Sequence, residues 1–469
     1  MIKINIDNEK IYDELLYVVK LFYSADEIEN LDIQFYISQE CQNSKIYTKV
    51  TSSLNDKIFE KNGLIKDNKF PERYFKRYAK LALFDCLQDY FPDKILPWGS
   101  LTGIRPTKLF YELIKENKGS IDSARNEFLK EFKVTEVKTQ LVEQIIENQK
   151  GIIKDTYVAD LYINIPFCPS KCYYCSFISL PIDKCKNLLE PYLQALHHEI
   201  RETKKMLAEK EIYIRSIYIG GGTPTILSAE QLDRLLSEIS INVLEFTVEC
   251  GRPDTITKEK LDVLAKHNVT RISINPQSFS DETLSLIGRN HTSDDIRKVY
   301  ELAKYYPFQI NMDLIAGLGN ENLEVFKKSI DEAINLSPDN LTVHTLSIKR
   351  GSTIHENGGD TSTIDDTFKM IEYSHNVLLE NGYKPYYLYK QKNMLGNLEN
   401  IGYFKDKPCI FNIVSMEEFS SIIACGANAI SKRYYLEENR IERFANLKNI
   451  PEYISRIDEM IEKKNKLFE

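Results

Sequence analysis

The sequence predicts an α/β protein whose centre is a partial (β/α)6 TIM-like barrel, with an N-terminal α+β domain and a C-terminal α+β segment. From residue 161 onward, short β-type runs alternate with amphipathic helical runs, which is the pattern of repeated βα units on a parallel sheet. Six such units, where a complete barrel has about eight, indicate a barrel that does not close. We therefore expect domains at 1–155, 156–350 and 351–469, the last covering the substrate.

The N-terminal region lacks this alternation. Apolar alternation predicts strands near 2–6 and 31–37, and helical periodicity predicts helices near 72–90 and 123–132. These elements indicate a separate α+β domain.

The barrel region contains six candidate strands, at 161–165, 216–221, 245–249, 270–275, 309–317 and 340–346. Helical segments separate them at 191–207, 229–239, 258–267 and 323–336. Chemistry in a (β/α) barrel lies where the strands end, so the side chains at those ends are the candidate functional residues. They are Cys168, residues 220–225, Glu249, Gln277 and Asp313.

Beyond residue 351 the chain carries aromatic and glycine-rich runs at 383–389 and 393–403, and we expect a helix over 416–424.

Composition narrows the setting. The chain has 469 residues, and its nine cysteines are odd in number and mostly single, which disfavours a secreted disulfide framework. We recognise no signal peptide and no apolar run of about 18 residues, so we expect a cytoplasmic protein without a membrane span. The net charge of −8, from 61 basic and 69 acidic residues, offers no general basic field, so we expect no nucleic-acid partner.

Three cysteines, Cys168, Cys172 and Cys175, stand within eight residues in the stretch NIPFCPSKCYYCSF. A structural zinc site usually needs two pairs of ligands, and only Cys185 stands nearby. A redox CxxC pair would leave Cys168 unused. A [4Fe–4S] cluster held by three thiolates uses all three cysteines and leaves one iron open to a small chelating ligand. We favour the open cluster, with zinc and a redox dithiol as the alternatives.

The CxxxCxxC spacing after a first strand, in a chain of six βα units, resembles the radical S-adenosylmethionine (SAM) superfamily. This resemblance implies that the amino and carboxylate groups of SAM chelate the fourth iron. It also implies that an electron from the reduced cluster cleaves the sulfonium to give a 5′-deoxyadenosyl radical. Such chemistry requires a site that excludes water.

Further strings resemble the coproporphyrinogen III dehydrogenase group of that superfamily: GGGTPT, FTVECGRPDTIT, RISINPQSF, LIGRNH and NMDLIAGL. In this group Gly221, Gly222 and Thr223 approach the methionyl amine, since glycine has no Cβ in the way. The resemblance further implies that Glu249, Gln277 and Asp313 bind SAM. Arg289 would face its carboxylate, and Tyr162 would lie beneath it near the cluster.

Three more strings resemble the HemZ-type branch, the oxygen-independent coproporphyrinogen III oxidases: LPWGSLTGIRPTKL, PDNLTVHTLSIKRGS and PYYLYKQKNMLGNLENIGY. The implied substrate is a tetrapyrrole with four propionates. The radical takes a hydrogen from the β-carbon of a propionate, and loss of CO2 and one electron leaves a vinyl group. Two such steps give protoporphyrinogen IX in anaerobic haem biosynthesis. The electron donor and the electron acceptor bring no motif and are unidentified.

Carboxylates on the substrate call for cations at the pocket rim, and aromatic rings could cover a tetrapyrrole face. The candidate cations are Arg105, Arg252, Lys349, Arg350, Lys390 and Lys392, and the candidate rings are Tyr386, Tyr387 and Tyr389.

Phe177 departs from the established dehydrogenases, which carry a further cysteine at that position. The related haem chaperones tend to have Phe there, and so does the HemZ-type branch. A second hypothesis is therefore a haem-binding chaperone of the same fold, with His291 and His344 as candidate axial ligands. A third is a radical SAM enzyme that acts on another tetrapyrrole, such as haem.

Overall fold

The computed structural model describes residues 1–102, 105–152, 157–177, 179–391 and 394–469. These residues form two units, Met1–Glu143 with Lys390–Lys392, and Gln144–Tyr389 with Asn393–Glu469. The second unit contains the barrel strands and most of the residues after 350. This division does not test the predicted domain boundaries at 155 and 350, which stay a prediction.

The first unit contains a four-stranded sheet in the order β1-β2-β3-β4. Its strands are β1 (Lys3–Ile6), β2 (Gln34–Gln42), β3 (Lys45–Ser52) and β4 (Asn55–Leu64). Strand β1 is parallel to β2, and the other pairs are antiparallel. The helices are α1 (Tyr12–Val19), α2 (Ala25–Asn30), α3 (Glu72–Tyr90), α4 (Pro106–Glu116), α5 (Ile121–Lys130) and α6 (Glu136–Asn148), which continues into the second unit.

Alternation explains how this sheet is covered. Phe35 and Ile37 of β2 are buried and pack in one cluster with Leu83 and Leu87 of α3, whereas Tyr36 between them is half exposed. Side chains of a strand point alternately to its two faces, so one face of the sheet carries the core. The helix predicted over 72–90 is confirmed, and the other elements predicted for this region are found with shifted ends.

The second unit contains an 11-stranded sheet. Six parallel strands lie in it side by side in chain order: β5 (Val158–Ile165), β8 (Tyr213–Gly221), β9 (Glu245–Glu249), β10 (Arg271–Ser273), β11 (Gln309–Ala316) and β12 (Asn340–Thr345). All six coincide with the predicted strands, so the predicted α/β class with its βα units is confirmed.

The helices that connect these strands are α7 (Lys186–Glu209), α8 (Ala229–Ile239), α9 (Lys258–Lys266), α10 (Asp281–Leu286), α11 (Ser293–Ala303) and α12 (Leu323–Leu336). Capping residues fix where several of them begin. Ser228 and Gln231 form a reciprocal capping box at α8, and Thr292 and Asp295 form another at α11. These capping residues therefore set the first residue of α8 and of α11, and with it the length of the loop before each helix.

The C-terminal residues extend the sheet at both edges. Strands β13 (Lys384–Tyr389) and β14 (Asn400–Phe404) add antiparallel beyond β12, while β15 (Ser421–Cys425) pairs parallel with β5 and is followed by β16 (Ile430–Tyr435) and β17 (Arg440–Ala445). The remaining helices are α13 (Thr353–Asn357), α14 (Ile364–Glu380), α15 (Ile410–Glu417), α16 (Ile450–Ser455) and α17 (Ile457–Leu467). A small separate sheet joins β6 (Phe167–Cys168) to β7 (Leu180–Pro181).

The helix predicted over 416–424 is wrong. Helix α15 ends at Glu417, where Glu418 adopts a left-handed φ of 55°, and residues 421–425 form a strand that is buried throughout. A short apolar run that is buried on both faces has no period, so the sequence pattern does not separate a strand from a helix there.

Along the described ranges, we find no helix that is both long and apolar enough to cross a membrane.

Candidate functional site

The cysteine loop follows the first barrel strand. Cys168 ends β6, the amide of Cys175 donates to the Cys172 carbonyl at 3.0 Å, and all three thiols are free. Two polar side chains reach the sulfurs from neighbouring loops. The Thr223 hydroxyl donates to Cys168 Sγ at 3.4 Å, and Arg252 Nη1 donates to Cys172 Sγ at 3.7 Å. The loop is therefore tied to the ends of both β8 and β9.

The thiols of Cys168 and Cys175 are buried where a thiolate would need a nearby positive charge to stabilise it. Burial raises the pKa of Cys168, and it raises the pKa of Cys175 to about 11, with Cys172 and Cys168 adding to the shift. A bound metal deprotonates such thiols by supplying the missing positive charge. Among the residues that the structure describes, no three His, Cys, Asp or Glu side chains converge as a single metal ion requires. A four-iron cluster distributes its thiolates over several metal atoms, so these three cysteines fit it.

Gly221 and Gly222, at the end of β8, form a turn that packs directly against this loop and is called the glycine turn below. A Cβ on Gly222 would lie 2.9 Å from Cys168 Sγ and 2.5 Å from the Phe167 carbonyl oxygen. A Cβ on Gly221, whose φ is 113°, would lie 2.1 Å from Asn164 Oδ1. Only glycine allows this approach, so backbone is exposed beside the cysteines.

Glu249 ends β9 beside that turn. The Tyr218 hydroxyl donates to Glu249 Oε1 at 2.6 Å. Burial raises the pKa of Glu249 to about 7, and the bond from Tyr218 opposes the shift while Asp313 adds to it. The rings of Tyr162 and Tyr218 stack with Phe411, with centroid distances of 6.0 and 4.6 Å. A cationic ligand would therefore favour ionisation of the Glu249 carboxyl, which lies beside the stacked rings of Tyr162, Tyr218 and Phe411.

Buried polar atoms without a hydrogen-bond partner among the described residues lie along β9, β10 and β11 and in the segments that follow β10. They are Thr247 Oγ1, Ser273 Oγ, Asn275 Oδ1, Gln277 Oε1, Arg289 Nε and Asn311 Oδ1. Gln277 also has a left-handed φ of 70°, a strained backbone state for a residue other than glycine. Each such atom costs about 1–3 kcal/mol when it stays unpaired. A polar ligand would satisfy them.

Arg289 is anchored beneath these atoms. Its Nη1 donates to the carbonyls of Gly251 at 2.8 Å and Asn275 at 3.3 Å, and Nη2 donates to the Tyr174 hydroxyl at 2.9 Å. Burial alone would lower the pKa of Arg289, but Tyr174 and Cys172 outweigh burial and raise it. The guanidinium thus stays charged between the cysteine loop and β10.

Asp313 lies on β11 in a short polar chain. Asn311 Nδ2 donates to Asp313 Oδ1 at 2.8 Å, and His344 Nε2 lies 3.7 Å from Asp313 Oδ2. The other ring nitrogen of His344 lies 3.4 Å from the Tyr389 hydroxyl. One ring nitrogen of His344 is thus within hydrogen-bond distance of Tyr389, and the other faces Asp313 from beyond that distance.

The structure separates the candidate substrate cations. Arg252 is buried and directed into the protein, and Arg350 is exposed. Burial lowers the pKa of Lys349, while the thiol of Cys175 opposes that shift, so Lys349 lies near the cysteine loop. Lys390 belongs to the first unit, where it donates to the Leu101 carbonyl at 3.0 Å over the ring of Trp98. Arg105 is half-buried at the start of α4, and Lys392 lies outside the described residues.

The sequence interpretation gave no role in this site to four residues that build it, namely Asn164, Tyr218, Asn275 and Asn311. A signal for some of them was present. On three neighbouring strands polar residues recur two positions apart, as Thr247 with Glu249, Ser273 with Asn275 and Asn311 with Asp313. This period places each pair on one face of its strand.

Comparisons with known proteins agree with this geometry. The model of the family described as "Radical SAM superfamily" matches residues 162–333. The chain is 41% identical over 386 residues to "Oxygen-independent coproporphyrinogen-III oxidase-like protein HemZ" of Bacillus subtilis, covering 79% of this chain and 77% of that protein. It is 35% identical over 241 residues to "Heme chaperone HemW" of Lactococcus lactis, covering 48% and 60%.

A further relative is "Oxygen-independent coproporphyrinogen III oxidase" of Pseudomonas aeruginosa, 32% identical over 191 residues, covering 39% of this chain and 41% of that protein. Among solved structures, the coproporphyrinogen III oxidase HemN of Escherichia coli, described as a radical SAM enzyme, matches with a TM-score of 0.53 at 20% identity, covering 69% of this chain and 73% of that one. At that identity the match shows a shared fold.

Proposed function

Because the chain belongs to the radical SAM superfamily, and within it to the family of oxygen-independent coproporphyrinogen-III oxidase-like proteins, we propose that it decarboxylates coproporphyrinogen III. The superfamily uses a [4Fe–4S] cluster and SAM. The proposed reaction converts two propionates to vinyl groups and gives protoporphyrinogen IX. Each step removes one hydrogen atom, one CO2 and one electron, and the electron passes to an external one-electron acceptor.

Three thiolates would hold the cluster, those of Cys168, Cys172 and Cys175. When bound, the cluster and SAM together supply a 5′-deoxyadenosyl radical. The protein's own part begins with the thiols of Cys168 and Cys175, whose pKa burial raises and which a bound metal would deprotonate. Thr223 and Arg252 donate hydrogen bonds to two of the sulfurs and so fix the loop.

The SAM contacts are proposed for Tyr162, Gly221, Gly222, Thr223, Glu249, Gln277, Arg289 and Asp313. Two observations support them. The glycine turn exposes backbone beside Cys168, and the oxygen of Gln277 is buried without a partner in the described structure. Glu249, once ionised, can accept from a cationic group, and the aromatic stack of Tyr162 excludes water beside it.

The observation that carries the proposal is that the cysteine loop, the glycine turn and the unpaired oxygens of Asn275 and Gln277 all follow the same ends of the parallel strands. The protein's residues can there hold an anionic or zwitterionic ligand next to three thiolates. The tetrapyrrole substrate is supported by the name of the B. subtilis relative, three quarters of which this chain matches.

A second candidate function is that of a haem chaperone, which is how the L. lactis relative is named. Phe177 favours it, because the side chain is 71% exposed two residues after Cys175 and cannot act as a further thiol. Against it, the chain covers only 60% of that chaperone.

The test is an anaerobic incubation of the reconstituted protein with dithionite, SAM and coproporphyrinogen III. We expect protoporphyrinogen IX with about two molecules of 5′-deoxyadenosine per product, since each vinyl group consumes one radical. Tight haem binding without vinyl product or coupled cleavage would instead support the chaperone. A new haem-derived product would support a radical enzyme of another tetrapyrrole.

A further inference from the structure

Arg252 was a candidate for binding substrate propionates, but its surroundings point elsewhere. Its side chain is 4% exposed, and every nitrogen of its guanidinium is engaged within the protein. Nη1 donates to Ser170 Oγ at 3.1 Å and to Cys172 Sγ at 3.7 Å, so one edge of the group faces the cysteine loop. A propionate could not reach it without displacing these bonds.

The opposite edge of the guanidinium is held by Asp254. Nε and Nη2 donate to the two carboxylate oxygens at 3.0 and 3.1 Å, a bidentate pair that fixes the plane of the group. His291 Nδ1 lies 3.5 Å from Asp254 Oδ1, with its side chain 1% exposed. Burial alone would raise the pKa of Asp254, but the nearby His291 and the hydrogen bonds from Arg252 outweigh burial and hold it well below its usual range.

We propose that Arg252 and Asp254 set the reduction potential of the cluster from opposite directions. This inference rests on the proposed role of Cys172 as a ligand. When the cluster accepts one electron from an external one-electron reductant, no bond forms or breaks, and one negative charge is added. A buried cation that donates to a ligand sulfur favours that added charge, whereas a buried carboxylate behind it opposes the charge.

Charge sign distinguishes this role from simple packing. Arg252 donates directly to the sulfur, so its removal makes the cluster harder to reduce. Asp254 is a positioning residue that also neutralises part of the guanidinium charge, so its neutralisation makes the cluster easier to reduce. A purely structural pair would give effects of the same sign, since either change breaks the same contact.

The experiment is a redox titration of the anaerobically reconstituted protein, followed by electron paramagnetic resonance, without substrate. Arg252→Gln should change the ratio of reduced to oxidised cluster about tenfold toward oxidised at a fixed reductant potential, equivalent to about 59 mV for one electron. Asp254→Asn should shift the ratio in the opposite direction. Arg252→Lys keeps the charge and should restore most of the wild-type ratio.

Arg234→Gln is the matched control, because Arg234 is 45% exposed and pairs with Glu190 on the helical surface. Unchanged potentials, or shifts of the same sign in both variants, would overturn the proposal. If Arg252→Gln fails to retain iron, Asp254→Asn alone decides, and a potential that stays or falls is the negative result. A wild-type protein without a cluster would instead refute the proposed function, and an unchanged potential with normal product formation refutes only this inference.

Discussion

The two ends of the parallel strands bury similar residues but satisfy them differently. At the end where the strands begin, Arg271 is fully buried and bonds to Asn340, to Glu245 at 3.3 Å and to Gln309 at 2.6 Å. Glu245 in turn accepts from the first amides of α15, Ile410 at 3.1 Å among them. Charge, hydrogen bonds and a helix N-terminus offset one another there, and of the guanidinium nitrogens only Nε has no hydrogen-bond partner among the described residues.

A second buried ion pair lies toward the same end of the strands. Arg215 forms a bidentate contact with Asp160, whose carboxylate also accepts from Ser216 and Ser420 at 2.6 Å each. Toward the other end, acceptors on β10 and β11 and in the loop after β10 are left unpaired within the described structure, namely those of Ser273, Asn275, Gln277 and Asn311. We infer that buried ion pairs at the end where the strands begin stabilise the fold, whereas unpaired polar atoms at the end where the strands finish bind a ligand. The same division of roles is general for (β/α) barrels.

The largest effect should come from the cysteines. Replacing Cys168, Cys172 or Cys175 by Ala should abolish cluster binding and SAM cleavage, because three thiolates are the only protein ligands in the proposal. The measurement is iron content and visible absorption after anaerobic reconstitution. Cys185→Ala, which removes a buried thiol bonded to the Pro181 carbonyl, should keep its iron. Full iron and cleavage in any of the three variants would contradict the assignment.

At the end where the strands begin, a substitution should instead lower the stability of the fold. Arg271→Met should lower the free energy of unfolding by about 3–5 kcal/mol, because Glu245 would stay buried without its cation. Urea unfolding of the apo protein measures this. The control is Arg201→Met, a surface pair with Glu238 at 2.8 Å, which should cost about 0–1 kcal/mol. Equal losses in the two variants would remove the distinction between a buried and an exposed pair.

The glycine turn gives the next effect. Gly222→Ala would place a Cβ 2.5 Å from the Phe167 carbonyl, and we expect SAM affinity to fall about 10–100-fold as the loop shifts. Equilibrium binding under anaerobic conditions measures it. Gly382→Ala should change affinity little, since nothing lies within 4 Å of its added Cβ and the residue stands just before β13, away from the cysteine loop. Wild-type affinity in Gly222→Ala would show that the close approach is dispensable.

Glu249 predicts a pH dependence. Its pKa is raised to about 7, so the carboxyl gains a proton as the pH falls through 7, and SAM binding through the carboxylate should weaken about tenfold per pH unit below that value. The apo protein shows the opposite sign, because a raised pKa stabilises the fold at low pH and that contribution is lost as the pH rises through 7. Binding curves from pH 6 to 8 in wild type and Glu249→Gln measure the difference. Parallel curves would contradict the role of Glu249.

The smallest effect concerns one unpaired hydroxyl. Thr247→Val should leave the apo protein as stable or about 1 kcal/mol more stable, because Oγ1 is buried without a partner among the described residues. Thr203→Val should cost about 1 kcal/mol, since Thr203 Oγ1 accepts from Lys464 at 3.1 Å. Chemical unfolding of both variants decides, and equal losses would show that Thr247 is already satisfied.

The sequence predicted what depends on local pattern. Alternating βα runs gave all six barrel strands, and the CxxxCxxC spacing gave the candidate ligands. Long-range packing decided the rest. Strand 421–425 pairs with β5, more than 250 residues earlier, so its apolar run was misread as a helix. The contact of Arg252 with Cys172, 80 residues earlier in the chain, likewise depends on the fold around the cysteine loop, which no local pattern encodes.

The proposed activity is tested most directly with coproporphyrinogen III that carries deuterium on the β-carbons of its propionates. The anaerobically reconstituted protein is incubated with SAM and dithionite, and both products are analysed by mass spectrometry. We predict deuterium in the 5′-deoxyadenosine together with a divinyl product, because the radical must take its hydrogen from that carbon. Unlabelled 5′-deoxyadenosine with no vinyl product would contradict the proposed decarboxylation.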